Sequence, residues 1–198
     1  MERTLVHVPL DIIQTMSGHS HWAGIKHKKE ITDQKRGKIF SKLLAAISAA
    51  ARTEQNPDFN PRLRTAIMKA KEMSVPQENI DRAVKKAAES GANLEELLFE
   101  AYGPGGTAIL IEAISDNRNR TVQEIKTILR DHGGKWAESG SVQWAFDHSN
   151  QEPGTGDKGN WAAKFPQKIS EEDGKKLAAL IEALEENDAV QEVYVNAI

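Results

Sequence analysis

The chain has 198 residues, 39% hydrophobic and 28% charged, with 26 Lys plus Arg, 29 Asp plus Glu and no cysteine. That length allows one or two compact domains with real cores, and the composition is that of a globular rather than a disordered protein. Without cysteine there is no disulfide framework, no thiol nucleophile and no cysteine zinc site, which suits a reducing compartment.

The first fifteen residues, MERTLVHVPLDIIQT, lack the basic end and unbroken apolar core of a secretory leader, because His7, Pro9 and Asp11 interrupt them. No later run approaches membrane-spanning length, so the expectation is a cytoplasmic protein with no membrane partner. Charge is unevenly distributed. Residues 17–90 carry 15 Lys plus Arg against 8 acids (+7), residues 91–198 carry 10 against 19 (−9), and residues 1–16 add −1. The sign changes near Gly91, where the apolar pattern also turns from helical to alternating.

The basic half begins with an arm. From Met16 to Lys42 there are seven cations, Lys26, Lys28, Lys29, Lys35, Arg36, Lys38 and Lys42, against Glu30 and Asp33, with His19, His21, His27 and Trp22 interleaved. Clustered Lys and Arg neutralise phosphates and release counterions, and an exposed aromatic can stack on a base. A solvated basic helix face explains the same run without a ligand. The histidines show no metal-ligand spacing with the nearby acids, and the positive surroundings disfavour a cation; they suit a role as donors beside phosphates.

From about Thr32 a helix is expected, with Ile39, Phe40, Leu43, Leu44 and Ile47 on its apolar face and Lys35, Lys38 and Lys42 on another stripe. Arg36 falls at the edge of the core, its stem buried and its head in solvent. Pro57 and Pro61 mark a loop, after which Asn60 caps a second helix carrying Leu63, Ala66, Ile67 and Ala70. Ser74 to Gln77 fit a capping box for a third helix, with Ile80, Ala83, Val84 and Ala87 buried. Three such stripes can be buried only against one another, giving a three-helix bundle.

Beyond Gly91, residues 96–103 and 107–114 read as strands joined through PGG. YGPGG lacks the Lys and Ser/Thr of a phosphate loop and leads into a strand, so turn geometry explains it. SDNRNRT offers caps for a helix with Val122, Ile125, Ile128 and Leu129 that ends at His132, Gly133 and Gly134. SVQWAF (141–146) reads as a third strand with Trp144 in the core, while Trp136 and Trp161 fall in loops. A polar linker follows over 147–169. Ser170 then starts a helix with Leu177, Leu180, Ile181 and Leu184, and residues 189–196 form the closing strand. The fold class is therefore α+β: a three-helix bundle, then a small sandwich of one four-stranded sheet covered by two helices. The expected organisation is an extension and basic arm over 1–31, a basic helical domain over 32–90 and an acidic α+β domain over 91–198.

Arg118 and Arg120 sit where capping does not need them, at the positive end of a helix dipole. They suit an acidic surface of the same chain or a phosphate equally well. No nucleophile elbow or acid pair fixed across a cleft is present, so no catalytic residue, cofactor, metal or small-molecule substrate is expected.

Several ordered motifs, SGHSHWAGIKHKKEITDQKRGKIFSK (17–42), NPRLRTAIMKAK (60–71), YGPGG (102–106), SDNRNRT (115–121) and DAVQEVYVN (188–196), resemble the YebC/PmpR family. The resemblance implies a non-enzymatic regulator of gene expression. Its members are generally described as probable transcriptional regulators that bind DNA, while relatives, including the mitochondrial translational activator of cytochrome oxidase, act on the ribosome. Members usually begin at the equivalent of Met16, which would make residues 1–15 an extension or the product of an early start codon. They also resemble a three-domain protein, with a small α/β domain inserted where this chain has only the 147–169 linker.

The expected nucleic-acid surface is Lys26, Lys28, Lys29, Lys35, Lys38 and Lys42 with Arg62 and Arg64, completed by His19, His21, Trp22, His27 and Arg36. Arg118 and Arg120 would form a second contact. Its partner is DNA or ribosomal RNA, and the acidic domain would orient the complex or meet a protein.

Overall fold

The computed structural model describes residues 33–89, 94–148 and 161–198. Helices α1 (Asp33–Ala51), α2 (Pro61–Glu72) and α3 (Gln77–Glu89) pack their apolar stripes together around Ile47, Leu63, Ala70 and Ile80. Asn60 joins two of them. Its side-chain oxygen accepts from the Leu63 N–H (3.0 Å), capping α2, while its amide donates to the carbonyls of Ala50 (2.8 Å) and Glu54 (2.7 Å) at the end of α1.

Ser74 does not cap α3 as expected. It lies in the left-handed region (φ 62°) and terminates α2, with its N–H on the Lys71 carbonyl and the Val75 N–H on that of Ala70. This is the Schellman arrangement, in which the left-handed position favours glycine. Helix α4 (Arg118–Asp131) ends in the same way, and there the residue is Gly133 (φ 75°), with the Gly134 N–H on the Leu129 carbonyl at 2.7 Å. Ser74→Gly is accordingly expected to stabilise the protein by about 0.5–1 kcal/mol, read as a raised urea midpoint at unchanged slope.

Strands β1 (Glu95–Tyr102), β2 (Ala108–Ser115), β3 (Lys135–Ala137) and β6 (Val190–Val195) form one sheet in the order β3-β1-β2-β6, every pairing antiparallel. A short turn at Pro104–Gly106 joins β1 to β2, with Gly105 and Gly106 at positive φ. Helix α4 and helix α5 (Glu171–Glu186) cover one face of the sheet. Phe99, Ile109 and Ile111 meet Ile125, Leu129, Leu177 and Leu180 there, as the sandwich reading requires. Asn117 caps α4 and Ser170 caps α5.

Residues 141–146 are not the third strand. Val142, Ala145 and Phe146 are buried at spacings of three and one, the period of a tight helical turn, and residues 143–145 form a 3-10 turn. Trp144 therefore points outward and is 65% exposed, not core. The third strand is β3, reached directly from the Gly133–Gly134 reversal. Trp136 lies on it, half-buried, with its ring 5.4 Å from Phe99 and the Lys126 ammonium 4.9 Å from its centroid. Within the expected linker, β4 (Phe146–His148) and β5 (Trp161–Ala163) pair as a two-stranded ribbon, packing Trp161 and Phe146 onto the second face of the sheet.

Candidate nucleic-acid interface

The bundle and the sheet unit meet along a seam of opposite charge. Helix α5 ends in Glu185 and Glu186 and has no basic residue in its last turn. Its terminal carbonyls instead receive lysines from α1: Lys42 Nζ donates to the Glu185 carbonyl at 2.5 Å and Lys38 Nζ to that of Glu186 at 3.2 Å. Cations at that end of a helix meet the negative pole of its dipole. Arg62 of α2 is ion-paired with Glu96 of β1, and Arg52, just past α1, donates to the Leu94 carbonyl at 2.5 Å.

Beside the seam, Glu112 and Glu192 stand directly opposite each other on β2 and β6, Glu192 keeping an exposed surface. Like charges in that position repel. Glu112 accepts from Trp161 Nε1 at 3.0 Å. The Glu192 carboxyl is held above its ordinary value of 4.5, first by loss of solvation and then by the charges of Glu185 and Glu112, against the pull of Lys69 and Lys42. A raised carboxyl favours the fold when protonated: that contribution is complete below the unfolded value and lost as pH rises through the folded one. Glu192→Gln should thus raise Tm at pH 7, and the gain should vanish as pH falls below about 4.5. An equal gain at pH 7 and pH 3.5 would show that the carboxyl's charge is not responsible.

The residues picked out from sequence divide accordingly. His19, His21, Trp22, Lys26, His27, Lys28 and Lys29 lie outside the described residues. Lys35 and Arg36 are exposed at the start of α1, the Arg36 guanidinium 5.3 Å from the Phe40 ring centroid. Lys38, Lys42 and Arg62 are bonded across the seam, with Lys38 and Arg62 still exposed to solvent. Arg64 braces the loop before α2, its guanidinium donating to the carbonyls of Pro57 and Asp58, each at 3.1 Å. Arg120 is paired with Asp116 at 2.6 Å, and Arg118 is exposed.

Sequence reasoning missed a second basic edge. A cleft of about 360 Å³ opens where α1 and α3 meet the sheet unit, with Arg52, Arg82, Lys86 and Asp116 among its lining. The signal available was the spacing of Asn79, Arg82, Ala83 and Lys86, which puts four residues on one stripe of α3.

With this geometry in place, family models match the chain in two adjoining pieces, described as the TACO1/YebC protein N-terminal domain over residues 20–90 and the TACO1/YebC second and third domain over residues 94–151. The chain belongs to the TACO1/YebC family. It is 53% identical over 135 residues to a protein of Desulfosudis oleivorans named probable transcriptional regulatory protein, a match covering 67% of this chain and 55% of the relative. A protein of the same name from Chloroherpeton thalassium is 56% identical over 134 residues, covering 66% and 54%. The chain thus spans about half the length of the curated relatives it matches. Its fold is similar to the crystal structure of a conserved hypothetical protein, Aq1575, from Aquifex aeolicus, with a TM-score of 0.80 and 35% identity over 90% of this chain and 97% of that one. Among the described residues no helix is long and apolar enough to cross a membrane.

Proposed function

We propose that this TACO1/YebC protein is a cytoplasmic, non-enzymatic regulator of gene expression that acts by binding nucleic acid. The observation that carries the reading is the start of α1, where exposed Lys35 and Arg36 continue the run of Lys26, Lys28 and Lys29. Phosphate contacts of this kind provide affinity without sequence information. The relatives' names support a transcriptional regulator, whose ligand would be DNA.

A specific observation favours the second reading, a translation factor on ribosomal RNA. Helices α2 and α3 flank a four-residue turn, Met73 to Pro76, the place where a helix-turn-helix protein would carry its recognition helix. The first turns of α3 instead expose Glu78 and Asp81, acids that duplex phosphates repel. Recognition of structured RNA by shape and unpaired bases does not need that helix.

Ultraviolet crosslinking of the tagged protein in its own cells, with DNA and RNA recovered in parallel, separates the two. Discrete promoter DNA would establish transcriptional regulation, whereas ribosomal RNA crosslinked at one locus would establish the translational role. Recovery of neither above an untagged control would overturn nucleic-acid binding.

A further inference from the structure

The cleft between α1, α3 and the sheet unit combines two chemistries. Its floor is apolar, from Leu44 and Ala45 of α1, Ala83 and Ala87 of α3, and Leu94. Its rim carries Arg52, Arg82 and Lys86, with Asp116 as the only acid among the residues that line it; Asp116 is paired with Arg120, Arg82 with the exposed Glu78 at 2.7 Å, and Arg52 donates to the Leu94 carbonyl. Arg52, Arg82, Lys86 and Arg120 against Asp116 and Glu78 leave the edge positive. This gives Arg120 of SDNRNRT a setting that capping alone did not: it neutralises the acid of a basic cleft.

We infer that this cleft takes one unpaired nucleotide of single-stranded RNA, its base on the apolar floor and its flanking phosphates on Arg52, Arg82 and Lys86. The inference rests on the nucleic-acid reading above and names the form of the ligand. A cleft of about 360 Å³ has room for a single base but none for a base pair held in a duplex. Arg82 and Lys86, one turn apart on α3, follow the direction of a backbone. Phosphates alone would have no use for a carboxylate and a carboxamide. Asp116 and the half-buried Asn79 are hydrogen-bonding groups suited to a ribose 2′-hydroxyl, which separates RNA from DNA.

The test is fluorescence anisotropy with the full chain and three labelled probes of one sequence: single-stranded RNA, single-stranded DNA and duplex RNA. Single-stranded RNA should bind at least about tenfold tighter than the other two. Ala45→Leu fills the floor without changing charge, and should weaken single-stranded RNA about tenfold while leaving the salt slope unchanged. Arg82→Gln with Lys86→Gln, both on the surface of α3, should flatten that slope by roughly 0.7 per lost contact on a single strand. Circular dichroism and Tm verify that each variant is folded.

If the wild type binds but both variants match it, or if duplex RNA or single-stranded DNA binds as well as single-stranded RNA, the cleft is not the site and the inference falls alone. If the wild type binds none of the three probes at physiological salt, the nucleic-acid reading falls with it.

Discussion

Glu100→Ala is expected to destabilise the protein by about 3 kcal/mol, through the loss of charge-assisted bonds and the stranding of buried donors. Glu100 lies on β1 and is only 3% exposed. Its carboxylate is a hub for the segment after β3: one oxygen accepts from the Gly140 N–H at 2.5 Å, the other from Val142 at 2.6 Å and Gln143 at 3.0 Å. Those N–H groups have left the sheet ladder and are gathered by a side chain instead. With alanine in place, the segment must either strand them or open to water, and opening removes Val142, Ala145 and Phe146 from the second face of the sheet. Glu100→Gln keeps the shape but replaces one acceptor oxygen with a donor, so the expected order of stability is wild type, then Gln, then Ala. Urea denaturation measures the loss, and hydrogen exchange at Val142 and Gln143 locates it. A cost below about 1 kcal/mol for alanine would mean that the segment holds itself without the carboxylate.

This hub also explains where reading the sequence stopped. The three helices, the β1–β2 hairpin, the caps at Asn60 and Ser170 and the two covering helices were legible because each is fixed by local periodicity or a local cap. Residues 141–146 were not, because what holds them is a glutamate some forty positions earlier, and a buried acid on a strand looks in sequence like an ordinary outward-facing one. Ser74 misled for a similar reason. Serine before a helix reads as an N-cap, and only the hydrogen bonds back to Ala70 and Lys71 show that it closes the helix before it.

The candidate surface was legible in sign but not in direction. The sequence showed a basic half and an acidic half, and a missing partner was the natural account. Much of the partner to Lys38, Lys42 and Arg62 is the acidic half of the same chain. Arg82 and Lys86 drew no notice because α3 also carries Glu78, Asp81 and Glu89, so its net charge is zero although one stripe of it is positive.

Gly103→Ala should cost about 1–3 kcal/mol, the range for forcing a methyl into a packed site. YGPGG reads as a turn in which glycine supplies positive φ, and that holds for Gly105 and Gly106. Gly103 is different: at φ −99° and ψ −177° its backbone is extended and open to any residue. Its constraint is space. A Cβ there would lie 2.5 Å from Thr107 Oγ1, 2.8 Å from Ile109 Cδ1 and 3.1 Å from Leu177 Cδ1. Thr107 is fully buried and its hydroxyl donates to the Pro104 carbonyl, so it has little freedom to yield. The movement falls on the end of Ile109 and on Leu177 beside it in the core, and through Leu177 on α5, whose other end seats Lys38 and Lys42. Crowding makes a specific claim on coupling: in a double-mutant cycle Gly103→Ala and Leu177→Ala should together cost less than their sum, because removing the leucine makes room for the methyl. Strictly additive costs would return Gly103 to the turn and free α5 from it. A less-than-additive result would tie the hairpin glycine, through one leucine, to the helix on which the basic half of the chain is docked.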